Sequence, residues 1–151
     1  MYGQPFGTLA FGEDGQAFIV TPPPVPITET VARPMSDIGN AGWVSTRSSL
    51  YDAIDELVPD DADYISTSTA STCELGLSET AYPGTSSQAL IYRASSINGS
   101  TLTVTLKQGA TTIATWSHAL TPTLTTYRQA LTAGQIALLT SGVVSVTLSA
   151  S

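Results

Sequence analysis

Three carboxylates stand close together in the segment PDDADYI, residues 59–65, of a chain in which only 11% of residues are charged. Carboxylate oxygens are the hard ligands that calcium prefers, which makes Asp60 and Asp63 candidate ligands for a calcium ion. The segment lacks the glycine and the bidentate glutamate of an EF-hand loop. In the alternative, structural interpretation, Pro59 ends a helix, the aspartates bond the backbone of a turn, and Tyr64 begins a strand. We favour the structural interpretation and expect no resident metal or cofactor.

The remaining residues that could perform catalysis are few. His118 is the only histidine, so a Ser-His-Asp relay would have to use it, and the chain has no G-x-S-x-G segment. After residue 66 the only carboxylates are Glu74 and Glu79, which leaves no clear pair for glycoside hydrolysis. Cys73 is the only cysteine, which excludes an intrachain disulfide, and its apolar neighbours predict a buried thiol. We therefore expect a protein that is not an enzyme.

Two loop residues have the chemistry to contact a sugar. Tyr82, in the segment AYPG, is an aromatic that could stack on a sugar ring, and Asn98 lies in a turn-forming NGS segment. The alternative for Tyr82 is a loop tyrosine that packs against its own domain. Both residues are retained as glycan contacts for a binding function.

Charge divides the chain into two parts. Residues 1–66 contain ten acidic and two basic residues, whereas residues 67–151 contain two acidic and three basic residues. The respective net charges of −8 and +1 give the −7 of the whole chain. A nucleic-acid partner is not expected, because binding of phosphates requires a basic surface.

Residues 1–20, MYGQPFGTLAFGEDGQAFIV, combine glycine with isolated aromatics and show no helical period. We predict an N-terminal docking arm that packs on another chain through Tyr2, Phe6, Phe11 and Phe18. A disordered tail is the alternative. The arm has neither the basic nor the apolar region of a secretory signal, and the chain has no apolar run long enough to span a membrane, so no membrane partner is expected.

Residues 21–42 follow as a proline-rich extended linker, because three consecutive prolines, Pro22 to Pro24, favour polyproline II. Residues 43–151 are predicted to form the folded domain, which begins with a short helix at about 48–57. In that helix Leu50, Ile54 and Leu57 share one apolar face.

Beyond Asp63 the hydrophobic pattern changes to period two, which indicates strands. In TLTVTLKQ, for example, Leu102, Val104 and Leu106 alternate with polar residues. The predicted strands are Tyr64 to Thr67, Thr72 to Leu77, Gln88 to Ile97, Thr101 to Gln108, Thr111 to Ser117, Thr125 to Leu131 and Val143 to Ser149.

The connections between these strands complete the fold prediction. Asn98 to Ser100 and Gln108 to Ala110 have the composition of hairpin turns. Thr132 and Gln135 have the spacing of a capping box, which predicts a second short helix. Several short strands with such connections are typical of a mainly β fold, specifically a jelly-roll-like antiparallel β-sandwich with an extended N-terminal arm.

Three segments resemble a module of minor structural proteins of tailed bacteriophages. They are LYDAIDELVPDDADYIST, CELGLSETAYPGTSSQALIYRAS and TLTVTLKQGATTIATWSHALTPTLTTYRQALT, and the resemblance covers residues 43–150. The N-terminal GQPFGTLAFG also resembles the short leaders of such virion proteins. The resemblance implies a β-sandwich on the virion surface, in head decorations, head fibres or tail appendages. It implies no catalytic residue, and it favours an entry turn for DDADYI.

From these observations we expect a bacteriophage virion structural protein, a capsid decoration or cement protein that docks on the major capsid protein or another virion protein. It would be synthesised in the host cytoplasm and reside on the particle surface. A homo-oligomer is expected, and a trimer would suit a capsid axis. The alternative is a tail or fibre component whose sandwich binds a host surface glycan.

Overall fold

Alternation of apolar and hydroxyl-bearing residues builds the central strands of the domain. In the strand Thr101–Gln108, Leu102, Val104 and Leu106 are each at most 6% exposed, whereas Thr103 and Thr105 are half-buried. Successive side chains of a strand point to opposite faces of its sheet, so the leucines and valine line a core and the threonines form the other face. This confirms the alternation that the sequence predicts.

The computed structural model describes residues 9–11, 17–19, 31–56, 58, 60–78 and 87–151. Its strands are β1 (Leu9–Phe11), β2 (Ala17–Ile19), β3 (Pro34–Asn40), β4 (Val44–Ser45), β5 (Ile65–Ser66), β6 (Ser71–Leu77), β7 (Ala89–Ala94), β8 (Thr101–Gln108), β9 (Thr111–Ala119), β10 (Thr125–Ala130) and β11 (Val144–Ala150). A 3₁₀ turn spans Tyr51–Ala53, and α1 spans Ala133–Ile136.

The largest sheet has five antiparallel strands in the order β3-β6-β11-β8-β9. The last strand in the chain, β11, therefore lies at the centre, between β6 and β8. Three smaller antiparallel pairs, β1-β2, β4-β5 and β10-β7, complete the described strands.

The core lies on one face of the five-stranded sheet. Its most deeply buried large side chains are Leu50, Cys73, Leu75 and Val104. Residues of β7 pack against this cluster, and so do Tyr51 and Ile54 of the 3₁₀ turn region. The predicted mainly β, antiparallel fold is confirmed, and the arrangement is consistent with a β-sandwich.

Hydroxyl groups cover the other face of the same sheet. Three cross-strand pairs of hydroxyls contact each other there: Thr72 with Ser149 at 2.8 Å, Thr103 with Ser117 at 3.1 Å, and Thr105 with Thr115 at 3.4 Å. We call this surface the hydroxyl face. It carries few charges, since Glu74 and Lys107 are the only charged residues that β6, β8, β9 and β11 contribute to it.

The predicted linker, residues 21–42, extends too far, because β3 at Pro34–Asn40 is a strand of the five-stranded sheet. Proline is tolerated in β3 because the strand lies at the sheet edge, where one of its sides has no ladder partner among the described strands. The strand approaches β6 closely at Gly76, where an added Cβ would lie 2.4 Å from the Ser36 hydroxyl. Residues 21–30 lie outside the described part of the chain.

The helix predicted at about 48–57 is also wrong in extent. The structure has only the 3₁₀ turn Tyr51–Ala53, and residues 54–56 are not helical. The Asp37 carboxylate, from the neighbouring strand β3, accepts hydrogen bonds from the backbone N–H groups of Leu50 at 2.9 Å and Tyr51 at 2.8 Å. These contacts fix the turn against β3, and the segment then packs Leu50 and Ala53 into the core instead of continuing as a helix.

Of the two predicted hairpin turns, one is confirmed and the other is wrong. Gln108 to Ala110 does connect paired strands, because β8 and β9 form a hairpin in which Gly109 adopts a φ of 57°. Asn98 to Ser100 does not, because β7 pairs with β10 whereas β8 pairs with β9 and β11. The segment crosses between two sheets. The capping box of Thr132 and Gln135 is confirmed at the start of α1.

Candidate functional site

The Asp60 side chain stabilises a turn. Its Oδ1 accepts a hydrogen bond from the backbone N–H of Ala62 at 2.9 Å, and its carbonyl accepts one from the N–H of Asp63 at 3.2 Å. This is the Asx-type turn that the structural interpretation predicts, and β5 begins two residues later at Ile65.

Asp63 is bound by an arginine on the paired segment. The Arg47 guanidinium donates from Nε to Oδ1 of Asp63 at 2.7 Å and from a terminal nitrogen to Oδ2, which is a bidentate ion pair. The hydrogen bond from Arg47 lowers the pKa of the Asp63 carboxyl below its usual value, and the same contact raises the pKa of Arg47. Because β4 pairs with β5, this ion pair closes the loop between them.

The third carboxylate of the segment points elsewhere. Asp61 forms an ion pair with Arg93 of β7, which connects the turn to the β7-β10 pair. The three carboxylates therefore have different partners. Within the described ranges, no group of three or more His, Cys, Asp or Glu residues is arranged to hold a metal ion.

Polar and aromatic side chains also meet between the five-stranded sheet and the β7-β10 pair. His118 projects from β9 and contacts residues of β7 and β10 that point inwards. Because Tyr92 and Tyr127 are directly opposite each other in the β7-β10 pair, their rings lie side by side. We call Tyr92, His118, Tyr127 and Gln129 the histidine cluster.

The Tyr92 hydroxyl and His118 Nε2 are 2.6 Å apart, and the Gln129 amide nitrogen is 3.4 Å from the same Nε2. With the imidazole proton on Nδ1, Nε2 accepts from the tyrosine hydroxyl. The centroids of the His118 and Tyr127 rings are 4.1 Å apart, and those of Tyr92 and Tyr127 are 5.4 Å apart in a stacked arrangement. Burial raises the pKa of Tyr92 above its usual value.

The histidine cluster has the contacts of a polar bridge between two sheets. The imidazole contacts a phenol, a second aromatic ring and an amide, and none of these is a carboxylate or an aliphatic hydroxyl. Among the described residues, His118 is therefore not assembled into a Ser-His-Asp relay. What the geometry does provide is a hydrogen bond across the interior and a stacked aromatic contact.

The sequence did not predict this cluster. The alternation of Leu90 with Tyr92, and of Tyr127 with Gln129, does predict that these residues share the inner faces of their strands. The sequence does not reveal that β7 pairs with β10 or that this pair lies across from β9. Tyr92 and Trp116 pack against the core, and Tyr127 stacks on Tyr92.

Cys73 occupies the centre of the core, as predicted. It is 1% exposed, and burial raises the pKa of its thiol to about 12. Since the thiolate is the reactive form, this cysteine has the environment of an inert structural residue.

Several residues that the sequence predicts as partner or glycan contacts lie outside the described part of the chain. Tyr2, Phe6 and Tyr82 lie outside the described residues, and Phe11 and Phe18 lie in β1 and β2, whose backbone alone is described. Asn98 is exposed, and its backbone N–H donates to the Ser96 hydroxyl at 3.3 Å. The neighbouring Ile97 is 86% exposed, so this turn projects from the domain surface.

No protein-family model, curated protein or solved structure matches this chain. No helix among the described residues has the length and apolar character needed to cross a membrane.

Proposed function

We propose that this chain is a structural protein of a bacteriophage virion, a capsid decoration or cement protein that docks on the shell through residues 1–20. The sandwich would have a jelly-roll-like connection and lie on the outer surface of the particle. The protein would be synthesised in the host cytoplasm and would bind the major capsid protein or another virion protein.

The observation that carries the proposal is the contrast between the two parts of the chain. The β domain has a neutral, hydroxyl-rich sheet face, and the carboxylates of Asp60 and Asp63 and the imidazole of His118 are engaged in structural contacts. The N-terminal segment concentrates glycine and aromatics, and its only charged residues up to position 20 are Glu13 and Asp14. The resemblance of residues 43–150 to phage structural modules supports the same assignment.

A cement protein needs only modest affinity for each site. Copies repeated on a symmetric shell add their contacts, so that anchors of low individual affinity give a stable coat. Phe6, Phe11 and Phe18 would supply the buried aromatic contacts, since aromatic residues are enriched among the residues that dominate interfaces.

The test is binding to undecorated phage heads. The full chain is expected to bind with a regular lattice of density by cryo-EM, whereas a variant lacking residues 1–20 should remain folded and fail to bind. Alanine at Phe6, Phe11 and Phe18 together should have the same effect. Tyr64→Ala is the matched control, because Tyr64 is an exposed aromatic of the β domain at 53% and its removal should leave binding unchanged.

Two outcomes would contradict the proposal. In the first, the truncated chain binds heads as well as the full chain does. In the second, density is confined to the tail, which would favour the alternative of a tail or fibre component that binds a host glycan. The projecting turn at Ile97 and Asn98 favours that alternative, and a glycan array with Asn98→Ala as the comparison would test it.

A further inference from the structure

One edge of the five-stranded sheet is formed by β9, which pairs with β8 on one side only within the described part of the chain. Leu102 is opposite His118, and the N–H of Leu120 donates to the carbonyl of Ser100 in the same register. Residues directly opposite each other in an antiparallel pair alternate between bonded and non-bonded types. His118, Trp116 and Leu120 therefore direct their backbone groups towards β8.

The intervening residues direct theirs the other way. Thr115, Ser117 and Ala119 present their N–H and C=O groups to the free edge of the sheet, and all three residues are exposed. The opposite strand of the same hairpin agrees with this pattern, because Thr101 exchanges both backbone hydrogen bonds with Ser151, on the β11 side. No described residue pairs with these groups, so the edge of β9 is a row of unpaired donors and acceptors.

The two edges of the sheet differ in how they are protected against pairing. The edge strand β3 contains Pro34 and Asp37 and has two register irregularities against β6. These features hinder edge-to-edge association. The nine residues of β9 include no proline and no Asp, Glu, Lys or Arg, and its register shift falls near its start, so Ala114 to Ala119 pair regularly with β8.

We propose that β9 pairs with β9 of a second copy of this chain, antiparallel and about a two-fold axis at Ser117. Thr115 would then lie opposite Ala119 of the other copy, and each copy would contribute three N–H donors. The two five-stranded sheets would join into one continuous sheet. An isologous contact of this kind is self-complementary, because the same strand serves on both sides.

The partner of β9 is a second copy of this chain, because the composition of β9 is compatible with pairing to an identical strand. The absence of formal charge in β9 removes the repulsion that a two-fold axis would impose on a charged residue. On one side of the joined sheet, Thr115 and Ser117 would extend the hydroxyl face across the axis. On the other side, the half-buried Trp116 would lie opposite His118 of the second copy and become more buried.

The proposal is independent of the docking arm and of any shell protein. The trimer considered from the sequence would need a different surface, since a three-fold axis does not pair a strand with itself. Head binding and self-association can therefore fail separately.

The experiment is sedimentation of the full chain over a range of concentrations, combined with hydrogen exchange. We expect a reversible monomer–dimer equilibrium that is insensitive to salt. The amides of Thr115, Ser117 and Ala119 should become protected as the dimer fraction rises.

Ser117→Lys places two like charges at the axis and should weaken dimerisation at least tenfold. Thr72→Lys is the matched control: it adds the same charge to the same hydroxyl face and removes one comparable hydroxyl contact, but it lies on an inner strand. The control should dimerise like the unmodified chain.

A second variant is needed in case Ser117→Lys disturbs the fold. Thr115→Pro removes a donor that points away from β8, so the fold should tolerate it while dimerisation falls. The proposal is overturned by a chain that stays monomeric at all concentrations, by a trimer, or by a dimer that persists in both folded variants.

Discussion

The Tyr92 hydroxyl connects the β7-β10 pair directly to the five-stranded sheet. It contacts Nε2 of His118, and the His118 ring packs against the Tyr127 ring in a tilted arrangement. A half-buried imidazole nitrogen that loses its hydrogen bond partner is costly, because it has also lost part of its contact with water.

We therefore expect Tyr92→Phe to lower the free energy of unfolding by about 1 kcal/mol, the usual net contribution of one hydrogen bond. Urea denaturation monitored by circular dichroism measures this change. Tyr64→Phe is the control, since Tyr64 is 53% exposed and its hydroxyl has no hydrogen bond to any described residue. Equal midpoints for the two variants would show that the contact to His118 contributes nothing to stability.

The sequence predicted which residues are buried better than it predicted which residues contact each other. Cys73 and the alternating residues of β8 could be placed in the core, because burial depends on local apolar pattern. The Asp60 turn could be predicted because its hydrogen bond spans only two residues. The ion pairs of Asp61 and Asp63 and the histidine cluster join residues that are far apart in the chain, so local pattern carries no information about them.

At the scale of elements, β3 has two roles. It is an edge strand of the large sheet, and its Asp37 carboxylate accepts from the N–H groups of Leu50 and Tyr51. A carboxylate in this position acts as a helix cap supplied by another element.

Asp37→Asn should lower the free energy of unfolding by about 1 kcal/mol, because a single amide oxygen replaces two carboxylate acceptors. The change is measured as a shift of the urea midpoint. Asp55→Asn is the charge-matched control, because the Asp55 side chain has no hydrogen bond within the described part of the chain, and its backbone carbonyl accepts from Arg33. The capping role would be excluded if both variants lost the same stability.

The strands beyond Asp63 were predicted nearly to their ends, but β1 to β4, the early helix and one hairpin were not. A period of two is a local property, and it identified β6 and β8 to β11 within about two residues. The helix at 48–57 was wrong because Asp37, a distant residue, determines where the turn lies. The hairpin at Asn98 was wrong because a turn sequence reverses the chain without specifying which strands pair.

At the scale of the whole molecule, Cys73 reports on the integrity of the core. It lies in β6, contacts the central cluster and is 1% exposed. A reagent reaches its sulphur only when the sheets separate, so its labelling follows the opening of the domain.

We expect Ellman's reagent to label Cys73 at least about a thousandfold more slowly in the native protein than above the urea midpoint, given the usual stability of domains. The logarithm of the rate should rise linearly with urea. Rapid labelling in buffer, or a rate that does not depend on urea, would show that the core opens locally around β6.

The order of the large sheet has a consequence for biosynthesis. Its central strand, β11, is made last of the five, and the hairpin β8-β9 and the pair β3-β6 are joined only through it. While the ribosome has yet to release β11, each half exposes a strand edge that belongs at the interior of the sheet. Non-local pairing of this kind folds slowly and leaves such edges open to aggregation. The nascent chain therefore cannot complete its domain during elongation through β9 and β10, and the five-stranded sheet can form only when residues 144–150 have emerged.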